Sequence, residues 1–356
     1  MKAWVLTDYN RPLTHVTLPT PEVSGTQVRV SVEFCGLCHS DLHTWQGVTD
    51  LGSRGVVHRP KGEPIAIGHE IVGRVVAFGP DAVGVEIGDR RIVYPWLGCG
   101  CCAMCEAGQD NLCAIASHSL GFSTNGGFAS EVVLPHPRYL LDPGNLDPAL
   151  AATYACSGLT VLSAIRKILP LGPNEPVVTI GAGGLGLQAI AMLRALGHEN
   201  IIAADVSSAK KDLVLGEGAA QFVEIGLVGA AASIVEAVGA KVAAVLDFVN
   251  STTTALAAFD MLRKGGTMVQ VGLYGGELIA PLPMLTLQIL SIRGSLTGTI
   301  QDLRDVIDLA QSGKLKPVPI ERVDMDDANK AIARLAAGDV KGRLVLQRMI
   351  EVPARS

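Results

Sequence analysis

The tightest constraint in this sequence is the run Pro176-Val177-Val178-Thr179-Ile180, followed at once by Gly181-Ala182-Gly183-Gly184-Leu185-Gly186. A short, continuously apolar strand of this kind is buried on both faces, as in a parallel sheet. The G-x-G-x-x-G that follows it opens a helix, expected over 187–196, and an acid, Asp205, ends the next strand 19 residues after Gly186. In that context each glycine has its own task. Gly181 permits the tight turn, Gly183 lets the backbone approach a pyrophosphate at the helix N-terminus, and Gly186 allows close helix–strand packing. Gly184 and Leu185 complete the phosphate loop. Asp205 would accept hydrogen bonds from a ribose diol and repel a 2′-phosphate, which favours NAD, while Lys210 and Lys211 keep NADP open. Further strands at 201–204, 242–246 and 267–271 alternate with alanine-rich helical segments. Residues 156–295 therefore read as a doubly wound α/β domain with a parallel sheet.

The eight cysteines, at 35, 38, 99, 101, 102, 105, 113 and 156, are the second constraint. No secretion signal is visible in the sequence, so clustered cysteines are expected to be metal ligands in a reducing cytoplasm before disulfides. Cys99, Cys102, Cys105 and Cys113 follow C-x2-C-x2-C-x7-C. Four thiolates close a tetrahedral zinc with no open position, a structural site in a lobe at about 95–115. An iron–sulfur cluster would want a shorter last gap and a following proline. Cys101 is surplus at this spacing, and Cys35 reads as a small buried apolar residue.

A different set of groups surrounds Gly36-Leu37-Cys38-His39-Ser40-Asp41-Leu42-His43. Gln27-Val28-Arg29-Val30-Ser31-Val32-Glu33-Phe34 alternates with period two and delivers the chain to this octet, which is expected on the turn after the strand. His69 follows in Gly68-His69-Glu70, and Cys156 in Tyr154-Ala155-Cys156-Ser157-Gly158. Cys38, His69 and Cys156 form a Cys2His set with a fourth position open, the set already known for the catalytic zinc of alcohol dehydrogenase. Zinc takes bound water from pKa 15.7 to about 7, and an alcohol held alike should shift comparably. At about 1.36 kcal/mol per pKa unit, that is on the order of 12 kcal/mol. A hydrogen bond to a charged group contributes roughly 1.5–3 kcal/mol, so the metal would dominate and hydroxyls would only shuttle the proton. Ser40 lies two residues past Cys38, His43 titrates near neutrality, and Asp41 would orient a ligand imidazole. His39, His43 and Glu70 taken alone also fit plain surface or ion-pair roles. His15, His58, His118, His136 and His198 lack ligand partners at useful spacing and read as surface or packing residues.

A net charge of −5 and the absence of a long Lys/Arg block exclude a nucleic-acid footprint. The most apolar run, 177–193, is broken by glycines and Gln188, which argues against a membrane span. Residues 1–155 read as a β-rich unit with functional loops, and 146–156 as an alanine-rich helix. After residue 295 the pattern is helix, loop, helix, strand, ending near 343–346, and the chain is expected to return to the first unit as residues 296–356.

The order of these motifs resembles the zinc-containing medium-chain dehydrogenase/reductase family, in detail its bacterial and archaeal NAD-dependent alcohol dehydrogenases. The resemblance spans the whole chain: the Gly-Leu-Cys-His-Ser-Asp octet, Gly68-His69-Glu70, the four-cysteine lobe, Cys156-Ser157-Gly158, the glycine fingerprint and the closing Gly342-Arg343. It implies a GroES-like catalytic domain, 1–155 with 296–356, beside a Rossmann domain. It also implies two zinc ions per chain and NAD. On this basis Cys38, His69 and Cys156 hold the catalytic zinc, and Glu70 joins it during exchange. Ser40 and His43 relay the proton through the cofactor ribose. His39 and Arg343 lie near the pyrophosphate, Thr160 near the nicotinamide, and Val271 and Leu273 along the cofactor. Trp45, Trp96 and Leu296 line the substrate pocket. The substrate would be a small alcohol, aldehyde or ketone, or alternatively a specialised polyol or hydroxyacyl metabolite. The assembly would be a homotetramer or dimer joined through edge strands of the Rossmann sheets.

Overall fold

The computed structural model describes residues 1–60, 62–226 and 228–349. The end of the 296–356 range thus lies outside the described residues. Two large sheets organise the chain. The first has seven strands, in the order Leu140–Leu141, Arg90–Val93, Glu70–Phe78, Val28–Gly36, Arg343–Gln347 and Ile320–Asp324, with Glu131–Leu134 also paired to Val28–Gly36. Its long central pair, Val28–Gly36 with Glu70–Phe78, is antiparallel. The strand Arg343–Gln347 pairs antiparallel with Val28–Gly36. The strand Ile320–Asp324 beside it was not expected from its mixed, half-exposed sequence.

The second sheet has six strands in the order Gln221–Glu224, Ile201–Asp205, Val177–Ile180, Val242–Asp247, Leu262–Gln270 and Ser291–Gly294. Every pairing in it is parallel. In sequence order this is 3-2-1-4-5-6, the doubly wound arrangement whose ligand crevice lies where the order reverses, between Val177–Ile180 and Val242–Asp247. All four residues of Val177–Ile180 are buried, as the unbroken apolar run requires.

One helical stretch joins the sheets. Asp147 caps it, its Oδ1 accepting from the Ala149 and Leu150 N–H groups, and Pro148 fills the first turn. Pro148–Thr153 packs on Val28–Gly36 and Glu70–Phe78, and Leu159–Arg166 packs on Gly184–Ala195 and Ile300–Gln311. Between them the chain makes one π-helical turn, Tyr154–Gly158. The 19 residues Pro148–Arg166 are long and apolar enough to cross a membrane, but most of that stretch is buried inside the protein, which makes it a core helix.

Three elements differ from the sequence reading. The octet does not sit on a turn: Cys38 is the N-cap of a helix, His39–Gln46. The fingerprint helix begins earlier than 187, at Gly184–Ala195. Glycines carry a low helix propensity, which concealed a first turn whose N–H groups have no intrahelical partner in any case. The helix expected over 146–156 starts at Pro148 and runs through the π turn on to Arg166.

Candidate active site

Asp41 is the anchor of the site. It is fully buried, and its Oδ2 accepts from the Cys38 N–H at 2.9 Å, closing a capping box in which the Cys38 Sγ receives the Ser40 N–H at 3.5 Å. Its Oδ1 meets His69 Nδ1 at 3.0 Å and accepts from the Gly68 N–H at 3.2 Å. One carboxylate therefore fixes both Cys38 and His69, although 28 residues separate it from His69. With Nδ1 held, His69 Nε2 is left buried without a hydrogen-bond partner. That is the atom a metal would take, since ligating imidazoles donate their other nitrogen to a carboxylate.

Cys156 reaches the same point from the π turn. Donor atoms of Cys38, His69, Glu70 and Cys156 all lie within 4.8 Å of one another, and all four residues are buried. The hydrogen bond from Cys156, with burial opposing and His69 assisting, holds the Cys38 thiol well below its ordinary range, while the same contact pushes Cys156 up. Glu70 sits beside them, raised by burial to about 7 against the pull of Arg343. Its Oε2 accepts from Arg343 Nη2 at 2.5 Å, and its Oε1 has no partner. The donor set fits zinc: two sulfurs and one imidazole, with a carboxylate in reserve.

The lobe residues Cys99, Cys102, Cys105 and Cys113 form a second set within 4.8 Å. A tetrahedron with Zn–S of about 2.3 Å has S···S edges of about 3.8 Å. Cys102 to Cys105, Cys99 to Cys105 and Cys102 to Cys113 measure 3.5, 3.9 and 4.0 Å. These residues fit a structural zinc.

At the fingerprint, Gly181 has φ of +95°, where a side chain would be strained. A Cβ on Gly186 would fall 1.9 Å from the Gly181 carbonyl oxygen, so the close approach is to the turn itself and not to the strand. A Cβ on Gly183 would meet nothing within 4 Å, leaving open the face a pyrophosphate would need. Asp205 is buried, its Oδ2 accepting from the Ala182 N–H at 2.7 Å and paired with Lys210 Nζ at 3.0 Å. Thr160 is buried with its hydroxyl unpartnered, in the helix Leu159–Arg166 that follows the π turn.

Other expected residues are placed less simply. Arg343 was expected at the pyrophosphate; its stem does pass Gly184, where a Cβ would meet its Cδ at 2.4 Å, but its Nη2 is committed to Glu70 and the Leu37 carbonyl. Trp96 stands against His69 with ring centroids 5.6 Å apart. Trp45 instead donates its indole N–H to the Arg11 carbonyl at 2.6 Å and makes no ring contact with His69 among the described residues. Leu296 is 65% and Leu273 48% exposed, whereas Val271 is buried. His39 is exposed; Ser40 and His43 are half-buried, and burial lowers the His43 pKa. Phe122 was missed: its ring lies 4.8 Å from His69 and 5.7 Å from Trp96. No spacing signal ties it to His69. Gly36 opens the octet but was given no role there; a Cβ on it would lie 2.0 Å from Glu70 Oε2.

Comparison with known proteins identifies the family. Residues 24–143 match the alcohol dehydrogenase GroES-like domain, and residues 184–312 match the zinc-binding dehydrogenase model. The chain belongs to the zinc-containing alcohol dehydrogenase family. A relative named NAD-dependent alcohol dehydrogenase from Sulfurisphaera tokodaii is 35% identical, covering 97% of this chain and 99% of that one. A solved alcohol dehydrogenase from Aeropyrum pernix superposes with a TM-score of 0.87 at 30% identity, covering 98% of this chain and 100% of the other. Another relative, 33% identical over 97% of each chain, is the D-arabinose 1-dehydrogenase (NADP(+)) of Saccharolobus solfataricus. The GroES-like match spans five strands of the seven-stranded sheet, and the zinc-binding dehydrogenase match spans five strands of the six-stranded sheet.

Proposed function

We propose that this family member is an NAD-dependent alcohol dehydrogenase that reversibly oxidises primary or secondary alcohols to aldehydes or ketones. The observation that carries this is the convergence of Cys38, His69 and Cys156 on one buried point with His69 Nε2 free. Bound there, zinc supplies a Lewis acid that makes an alcohol hydroxyl acidic near neutral pH, and NAD supplies the hydride acceptor. The chain does the rest. Asp41 holds His69 in the tautomer that presents Nε2. Ser40 and His43 form the proton relay: Ser40 takes the hydroxyl proton as it gives up its own, and His43, whose pKa burial lowers, ends the relay towards solvent. Trp96 and Phe122 wall the site against water. Asp205 takes the adenine-side ribose, the first turn of Gly184–Ala195 takes the pyrophosphate, and Thr160 and Val271 flank the nicotinamide. Cys99, Cys102, Cys105 and Cys113 hold a second zinc that stiffens the lobe, giving two per chain.

Eight free cysteines suit a reducing cytoplasm. The edge strand Ser291–Gly294, with Leu287, Ile289 and Ile292 exposed around it, suits pairing with a second copy in a dimer or tetramer. The Asp205–Lys210 pair leaves NADP as the alternative cofactor. A second substrate reading, a polyol, rests on a cavity of about 340 Å³ lined by Thr7, Arg59, Glu63, Phe122, Ser123 and Asn125. Mixed donors and acceptors of this kind suit a hydroxyl-rich chain. The test is turnover of Cys38→Ser and His69→Ala on a panel of simple alcohols and sugars. Loss of activity with all substrates in folded variants supports the reading, and near-wild-type turnover overturns it. Activity confined to sugars moves the substrate to the polyol class.

A further inference from the structure

The four-cysteine lobe carries a fifth thiol with no place in its tetrahedron. Of the eight cysteines, all described, Cys101 alone is exposed. Its Sγ lies 3.7 Å from the Sγ of Cys99, while Cys99 is one of the four donors that converge. Gly100 links the two with φ of +79°, and around its Cα there is room: a Cβ would meet only Arg138 Nη2, at 3.7 Å. A disulfide needs about 2.0 Å between sulfurs, so the pair must close by about 1.7 Å, a movement a glycine hinge in an open loop permits.

We propose that Cys101 is a peroxide-sensitive modification site that withdraws Cys99 from the lobe and thereby releases its zinc. The steps balance. The Cys101 sulfur attacks a hydroperoxide, the O–O bond breaks, and Cys101 becomes a sulfenic acid as hydroxide leaves. The Cys99 sulfur then attacks the Cys101 sulfur, the S–O bond breaks, and the oxygen departs as water with a solvent proton. One hydrogen peroxide is reduced to two waters, and two thiol groups are oxidised to one disulfide. Cys102, Cys105 and Cys113 remain, three donors where a closed structural site needs four. Selectivity follows from access. Cys35, Cys38, Cys105, Cys113 and Cys156 are buried and Cys99 and Cys102 half-buried, so the oxidant meets the exposed Cys101 first. The extra cysteine thus converts a purely structural lobe into one that opens under oxidative load and is restored by a thiol reductant with zinc.

This inference rests on zinc occupying the lobe, but not on the dehydrogenase activity. The test uses full-length protein and Cys101→Ser, both assayed first for zinc content and near-ultraviolet circular dichroism. Hydrogen peroxide is added in the presence of a chromogenic zinc chelator, and the products are mapped by mass spectrometry without reduction. The expected result is release of one zinc per chain from the wild type, together with a Cys99–Cys101 linkage. Dithiothreitol and zinc should reverse both, and Cys101→Ser should show neither. Equal release from Cys101→Ser, release without the linkage, or the linkage with zinc retained would each overturn the proposal. A lower starting zinc content in Cys101→Ser would also overturn it, because Cys101 would then be a ligand. An untreated wild type without lobe zinc overturns the release step and, separately, the two-zinc count.

Discussion

Replacing Asp41 by asparagine probes the node on which the candidate site hangs. The carboxylate serves three partners, at 2.9 Å (Cys38 N), 3.2 Å (Gly68 N) and 3.0 Å (His69 Nδ1). Asparagine keeps the shape, but one of its ends is an NH2 that must face a donor. Either the Cys38 N–H loses its acceptor or His69 is pushed to the other tautomer, with its Nε2 protonated. Losing one buried bond to a charged acceptor costs roughly 1.5–3 kcal/mol. Loss of a carboxylate behind a ligating histidine lowers metal affinity about 10–100-fold, or roughly 1.4–2.7 kcal/mol. The two estimates agree, so Asp41→Asn should weaken the Cys38–His69–Cys156 site by one to two orders of magnitude and leave the four-cysteine lobe unchanged. Competitive zinc titration against a chelator of graded affinity separates the two sites. If the weaker of the two steps keeps its wild-type affinity, or if both fall together, the claim that Asp41 organises this site is wrong.

Two further outcomes follow from other parts of the fold. Gly186→Ala sets a methyl 1.9 Å from the Gly181 carbonyl, a backbone clash costing about 1–3 kcal/mol. NAD affinity by titration calorimetry should fall about tenfold or more with Tm lowered, and an unchanged affinity would refute the role of this turn. Glu33 is held below its ordinary value of 4.5: burial raises it, but Arg90 and Arg74 outweigh that. Its contribution is therefore present above 4.5 and lost as pH falls through the lowered folded value. Both arginines are more than one-third exposed, so after screening the contribution is about 1 kcal/mol. Denaturant unfolding of Glu33→Gln should show a deficit at neutral pH that shrinks below pH 4.5, and a pH-independent deficit would refute the assignment.

What the sequence made legible has a physical pattern. The parallel sheet was readable because a strand buried on both faces must be apolar throughout, and 177–180 is. The convergence of Cys99, Cys102, Cys105 and Cys113 was readable because all four fall in one short stretch of chain. The Cys38 helix was hidden: its capping residue is a cysteine, outside the usual serine, threonine and aspartate, and only the pairing with Asp41 makes the box. The π turn at Cys156 was equally hidden, since no local sequence signal marks the extra residue in a helical turn. Phe122 and the Glu70–Arg343 pair are tertiary facts, the latter linking residues 273 apart. Periodicity speaks to which face is buried, not to what lies across the gap.

The account depends most on Cys38, His69 and Cys156 sharing one ion. Zinc K-edge X-ray absorption on protein purified under reducing conditions, paired with elemental analysis, addresses that directly. Two zinc per chain are expected. Their averaged shell should combine sulfur at about 2.3 Å with a nitrogen and oxygen fraction at about 2.0–2.1 Å, and Cys156→Ser should reduce the sulfur share. A single zinc per chain in a pure four-sulfur shell, unchanged by Cys156→Ser, would contradict the central claim.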